Sequence, residues 1–213
     1  MPFSLLDFFF PKTSLTGTEG VWVTEGEMRE MRGWPIRVER GELEKRGLHH
    51  LDRIVAASSY DHSALLRTAV HRFKYGRVSG LDRALGTMLE RVAPFLAEFS
   101  DSVLCPVPLH WTRRFSRGFN QSHLLAEVVG RSRGWQVLEM LRRVRITGHQ
   151  AWRKRDARLS AVRGAFVCAV ETVPPHIVLV DDIATTGATL DACAEELKKH
   201  GARFVEALVI AQG

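Results

Sequence analysis

The chain has 213 residues, 45% of them hydrophobic and 25% charged, a composition that excludes disorder over most of its length. Its net charge of +6 favours anionic partners, either phosphates or nucleic acid. No apolar run reaches the roughly eighteen residues a membrane helix needs, and the length suits one substantial α/β domain with a small appendage, or two small domains.

In chain order, "MPFSLLDFFFPK" is apolar but has no basic leader and no small-residue cleavage site, so it does not read as a signal peptide. Leu5, Leu6, Phe8, Phe9 and Phe10 are expected to dock onto the rest of the protein. Residues 11 to 50 are rich in glycine and charge, with weak periodicity, and predict an irregular or hairpin segment. "RIVAASSY" predicts a strand. Leu65, Leu66, Ala69, Val70 and Phe73 then recur at helical spacing, as do Leu81, Leu85, Met88, Leu89 and Val92 up to Pro94. "SVLCPVPL" reads as a buried strand stopped by prolines, and Leu124, Leu125, Val128 and Val129 mark a third helix. "WQVLEML" and "GAFVCAV" are short strands around a basic connection. "HIVLVDD" is a central strand, Thr189 to His200 a helix, and "FVEALVIA" the strand that closes the sheet. Strand and helix alternate, which predicts an α/β fold with a mostly parallel sheet. Cys105, Cys168 and Cys193 lie far apart with no CxxC pair, as expected of reduced thiols in a cytoplasmic protein.

The stretch "IVLVDDIATTGATL" carries the most chemistry. Four apolar residues suit a strand buried on both faces, which should deliver Asp181 and Asp182 to the carboxyl edge of the sheet, where α/β proteins bind ligands. Ala184, Thr185, Thr186, Gly187, Ala188 and Thr189 follow, small or hydroxylated, and open a helix. Backbone amides at such a turn, with the helix dipole behind them, form an anion site. Carboxylates beside a phosphate must face something else, and ribose hydroxyls or a hydrated Mg²⁺ fit that need. A plain strand-to-helix turn with Thr189 as N-cap explains one acid and one threonine, not the ordered set. Neither GxxxxGK[ST] nor GxGxxG is present.

Two basic stretches complete the pattern. In "PVPLHWTRRFSRGFNQSHLLAE", Arg113, Arg114 and Arg117 fall within five residues and could hold a diphosphate through bidentate hydrogen bonds. Residues 142 to 163 carry eight Lys or Arg (142, 143, 145, 153, 154, 155, 158 and 163) against one acid, Asp156. Such a segment suits a lid over a charged substrate. It suits equally a nucleic-acid track, with Trp152 as a stacking surface. Solvated surface loops are the plain alternative for both stretches.

The order of two acids, two variable residues and "TTGAT" resembles the PRPP-binding signature of type I phosphoribosyltransferases. That resemblance implies that Asp181 and Asp182 take the ribose hydroxyls and that Ala184 to Thr189 take the 5′-phosphate. With "PVPLHWTRRFSRGFNQSHLLAEVV", "LRRVRITGHQAWRKRDARLSAVRGAF" and "YDHSALLRTAVHRFKYGR", residues 51 to 213 are similar to the competence-protein F (ComF) family of phosphoribosyltransferase-like proteins. The similarity implies a type I phosphoribosyltransferase fold with Arg113, Arg114, Arg117 and Lys74 near pyrophosphate. It also makes residues 147 to 163 a hood loop, in which Arg153, Lys154, Arg155 and Arg158 meet the substrate or nucleic acid.

The family usually begins with a four-cysteine zinc ribbon. Here Thr13, Thr16 and Gly17 keep a CxxCG spacing, as do Arg37, Arg40 and Gly41, but the cysteines are missing, so residues 1 to 50 are expected to be a remnant without zinc. His49 and His50 lack further partners for a metal. Arg153 and Ala161 stand where the family usually has Leu and Asn, which puts the hood geometry in question. The expected activity is cytoplasmic: PRPP bound with Mg²⁺, and pyrophosphate displaced by a nitrogenous acceptor that the sequence does not identify. The alternatives are a non-enzymatic single-stranded DNA-binding component of natural transformation, working with a DNA-uptake helicase, and a nucleotide-sensing regulator on the same fold.

Overall fold

A computed structural model describes residues 12–75, 79–97, 102–109, 118–145, 162 and 164–213. The first elements are α1 (Glu25–Met31), β1 (Ile36–Glu39) and α2 (Arg40–Lys45), where the sequence predicts irregular chain or a hairpin. A capping box explains α1: the Thr24 hydroxyl accepts from the Glu27 amide, and the Glu27 carboxylate accepts from the Thr24 amide. That buried carboxylate also takes the Ser14 hydroxyl (2.8 Å), the Thr16 amide (2.6 Å) and the Thr16 hydroxyl (2.7 Å). Burial works to raise the Glu27 pKa, but the hydrogen bonds from Thr24, Thr16 and Ser14 outweigh it and bring it down to about 2.

There follow β2 (Arg53–Ser59), α3 (Ala64–Tyr75), α4 (Asp82–Val92), β3 (Val103–Pro106) and α5 (Gln121–Arg133). The chain then runs through β4 (Gln136–Val137), β5 (Leu141–Arg143), β6 (Phe166–Cys168), β7 (His176–Ala184), α6 (Ala188–Lys199) and β8 (Phe204–Gln212). The main sheet has six strands in the order β1-β2-β8-β7-β3-β4, and all neighbours are parallel except β1 and β2. The protein is therefore α/β with a mostly parallel sheet, as expected. β8 does not close that sheet: it lies between β2 and β7, and its burial from Val205 to Gln212 reflects that central place. "WQVLEML" divides between two sheets, since β4 edges the main one and β5 pairs antiparallel with β6 in a separate ribbon.

Helices cover both faces. Val55, Ala57, Leu104, Val178, Val180, Leu208 and Ile210 pack with apolar residues of α3, α4 and α5. Ile54, Ala56, Cys105, Ile177, Leu179, Ala207 and Val209 pack on the other face with Leu190, Cys193, Ala194 and Leu197 of α6. Strand residues alternate between the two cores, as the pleat requires. Burial pushes the Cys105 thiol up to about 12 and the Cys193 thiol well above its usual value, so both stay protonated packing groups. Cys168 is only half-buried, and all three are free cysteines. Among the described residues, no helix is long and apolar enough to cross a membrane.

Candidate functional site

The topology locates a crevice. From β3 the chain runs outward through α5 to β4. From the adjacent β7 it runs the other way, through α6 on the opposite face, to β8. Connections that diverge in this manner open a cleft beyond the carboxyl ends of the two strands, the usual ligand position in open α/β sheets. Asp181 and Asp182 lie there. On the β8 side β7 continues through both acids to Ala184, but on the β3 side pairing stops at Val180. The acids are thus inside the strand toward β8 and beyond its end toward β3, which refines the expected placement at the edge.

Successive strand residues point in different directions, and each carboxylate meets a different helix end. Asp182, 6% exposed, holds the Lys74 ammonium of α3 at 2.9 Å. Asp181, half-buried, accepts from the Ser122 hydroxyl of α5 at 2.9 Å and from the Asp182 amide at 2.9 Å, both on Oδ1. Burial, reinforced by the Asp182 charge, pushes the Asp181 carboxyl up to about 7 against the opposing pull of Lys74. Burial also works to lower the Lys74 pKa, but the two aspartates overcome it and hold the ammonium above its ordinary value.

Ser122 is held in place by its neighbours. Asn120 caps α5 by accepting the Ser122 amide (3.2 Å) and donates from Nδ2 to the Val107 carbonyl just past β3 (3.2 Å). Buried Gln121 donates to the carbonyls of Phe73 (3.3 Å) and Lys74 (3.5 Å) at the end of α3. The resemblance that includes "RGFNQ" implies no roles for Asn120, Gln121 or Ser122. The available signal was an Asn before a helical run, which places the helix start at Gln121 and not near Leu124.

The small-residue turn follows. Ala184 is buried at the end of β7 and its carbonyl accepts the Gly213 amide (3.0 Å). Thr185 is exposed, Thr186 and Thr189 are half-buried, and Gly187 and Ala188 are buried. The helix begins at Ala188 with Gly187 as N-cap, not at Thr189. Gly187 has φ +79°, a conformation that favours glycine, and a Cβ there would push the Leu48 Cδ1 methyl, 2.6 Å away, aside. Gly187 offers no cap side chain, and although Thr186 Oγ1 accepts the Ala188 amide at 3.4 Å, the amides that follow in the first turn of α6 suit an anion. Asp191 would oppose an anion in that first turn, but its Oδ1 is taken up by the amides of His50 (2.8 Å) and Leu51 (3.0 Å). The N-terminal segment therefore buttresses the turn from behind.

The structure brings together Lys74, Asp181, Asp182 and the turn at 184–189. Arg113, Arg114, Arg117, Arg153, Lys154, Arg155, Arg158, Trp152 and the N-terminal apolar residues lie outside the described residues. Among the described residues no three His, Cys, Asp or Glu side chains form a metal cluster.

These features define an α/β protein with a crevice at the switch point of its sheet, furnished with an acidic pair, a half-buried cation and a small-residue turn. The comparisons with known proteins narrow that class. No protein-family model matches the chain. The "DNA utilization protein YhgH" of Salmonella typhimurium is 32% identical over 161 residues, covering 72% of this chain and 69% of that protein. The "Competence protein F" of Haemophilus influenzae is 28% identical, covering 66% and 65%. The "Competence protein ComFC" of Streptococcus pneumoniae is 32% identical, covering 54% and 51%. Among solved structures, TT1426 from Thermus thermophilus overlaps with a TM-score of 0.35 at 21% identity, covering 60% of this chain and 72% of that one, too loosely to bear on the site. The chain belongs to the ComF family.

Proposed function

We propose that the chain binds PRPP with Mg²⁺ in the crevice beyond β3 and β7 and transfers or recognises its phosphoribosyl group. One observation carries this reading. Asp181 Oδ1 and Asp182 Oδ1 are committed inside the protein, and each carboxylate keeps its Oδ2 uncommitted among the described residues, beside a turn suited to a phosphate. Two adjacent acceptors next to an anion cradle match a ribose 5-phosphate, whose neighbouring hydroxyls donate while its phosphate accepts. Two hard oxygens cannot enclose Mg²⁺, so the residues fit a cation that arrives on the substrate's diphosphate. When bound, Mg²⁺ would offset charge on that diphosphate.

In the reaction, the lone pair of a nitrogenous acceptor forms the bond to the anomeric carbon as the carbon–oxygen bond to pyrophosphate breaks. The protein's part is to orient the ribose through Asp181 and Asp182, hold the phosphate at 184–189, and present cations to the leaving group. Lys74 is such a cation, and Arg113, Arg114 and Arg117 are assigned to the same task. Arg153, Lys154, Arg155 and Arg158 are assigned to the hood. Pyrophosphate release from PRPP and Mg²⁺ across a panel of nitrogenous acceptors tests the transfer. Release with at least one acceptor is expected; binding without any release would leave a PRPP or nucleotide sensor.

The names of the relatives favour a second, compatible role in DNA utilisation and competence. The net charge of +6 and the basic 142–163 segment suit direct contact with single-stranded DNA. Affinity for an oligonucleotide should then fall steeply with salt and weaken when Arg153, Lys154 and Arg155 are neutralised together. A salt-independent or absent signal counts against this role.

A further inference from the structure

We infer that Ser122, clamped by Asn120 and Gln121, is a positioning residue that turns Asp181 so that the site requires a vicinal diol and discriminates ribose from 2-deoxyribose. The inference rests on the PRPP reading of the crevice and deepens it.

A carboxylate rotates about its Cβ–Cγ bond unless one oxygen is fixed. Two donors fix Asp181 Oδ1: the Ser122 hydroxyl and the Asp182 amide, each at 2.9 Å. The amide belongs to the same strand and is always there, whereas the hydroxyl comes from another element and so sets the orientation across the crevice. Ser122 is itself immobilised, with a relative exposure of 2%. Asn120 ties it to the end of β3, and Gln121 ties it to the backbone of Phe73 and of Lys74, the residue whose side chain fixes Asp182. Three consecutive residues thus set the positions of both carboxylates relative to each other. With Oδ1 of each engaged, the two Oδ2 atoms remain for two hydroxyls. A sugar lacking one hydroxyl leaves a half-buried carboxylate oxygen without a donor, and sites built to pair a hydroxyl reject analogues without it. Removing Ser122 leaves Oδ1 held only by the Asp182 amide of its own strand, so nothing sets the carboxylate's orientation across the crevice, and the penalty for the missing hydroxyl shrinks because Asp181 can turn to other donors, water included.

Calorimetry of ribose 5-phosphate and 2-deoxyribose 5-phosphate on wild type, Ser122→Ala and Ser122→Thr tests this. Wild type should prefer the ribose ligand by about tenfold or more, one lost hydrogen bond's worth. Ser122→Ala should bring the ratio to near unity while inorganic phosphate binds as before, and Ser122→Thr should restore it. A ratio unchanged in Ser122→Ala overturns the inference. A second measurement keeps it separate from the PRPP reading: crystal structures of wild type and Ser122→Ala. An Asp181 carboxylate that turns in the variant supports the positioning role, and one that stays in place overturns it, whether or not either sugar binds. Wild type that binds neither sugar phosphate nor PRPP overturns the PRPP reading instead, and the diol discrimination with it.

Discussion

The two ends of the sheet treat buried charge in opposite ways. At the amino end, Glu206 is fully buried and receives Arg53 (2.9 Å), His176 Nε2 (2.9 Å) and the Ala97 amide (3.0 Å). His176 Nδ1 in turn lies 2.8 Å from the Ser102 hydroxyl. Asp52, 3% exposed, pairs with Arg40 and Lys198 (2.7 Å) and accepts the Val205 amide (2.8 Å). At the carboxyl end, two adjacent carboxylates share one ammonium, Lys74, and two of their oxygens have no donor among the described residues. Burial tends to raise the Asp52 pKa, but Lys198, Val205 and Arg40 reverse it and leave it lowered, whereas Asp181 is raised. A satisfied acid builds the fold. An acid kept partly unsatisfied, at a cost in stability, is what the proposed ligand site requires.

The contrast can be broken by mutation. Glu206→Ala removes the buried carboxylate shared by Arg53 and His176, leaving Arg53 on Glu39 and His176 beside Ser102, and should cost about 3 kcal/mol in chemical unfolding. It should leave ligand affinity per folded molecule unchanged. Asp52→Asn should cost about 2 kcal/mol at neutral pH by the loss of a paired buried charge. The Asp52 contribution is present above its unfolded pKa and is lost as pH falls through the lower folded value, so the variant and wild type should converge in acid. Asp181→Asn should act with the opposite sign. A carboxyl raised from 3.8 to about 7 holds its proton more tightly when folded, so it destabilises increasingly as pH rises through that window. The variant should therefore gain on wild type by about 1 kcal/mol or more between pH 5 and pH 8 in unfolding titrations. An Asp181→Asn variant that loses stability at pH 8 would put that acid with the satisfied class. Smallest of all, Lys199→Ala removes an exposed pair with Glu195 and should shift stability by less than about 0.5 kcal/mol.

Much of the carboxyl end was legible in the sequence because its signals are local. Four apolar residues, two acids and a run of small or hydroxylated residues through Gly187 are contiguous, and in the helix that follows Leu190, Cys193, Ala194 and Leu197 recur at helical spacing and are all buried. What escaped reading depends on chain segments far apart. Strand order is not written in any strand, so the sequence has β8 closing the sheet although its near-continuous burial belongs to the centre. The resemblance names Lys74 but not its pairing with Asp182, and Ser122 carries no expectation at all; the two reach the aspartates across 108 and 59 positions in the chain, distances no periodicity encodes. Leu48 packs against Gly187, and the His50 amide caps Asp191, both from a segment whose composition suggests little order. One local signal was present and passed over: Thr24 followed three residues later by Glu27, the capping box that starts α1.

Titration calorimetry of PRPP with Mg²⁺ into wild type and the Asp181→Asn, Asp182→Asn double variant tests the central claim most directly. Both acids supply the uncommitted oxygens, so wild type should bind and the double variant should show no measurable heat while remaining folded. Equal PRPP affinity in the two proteins would contradict the assignment of the acidic pair to the ribose.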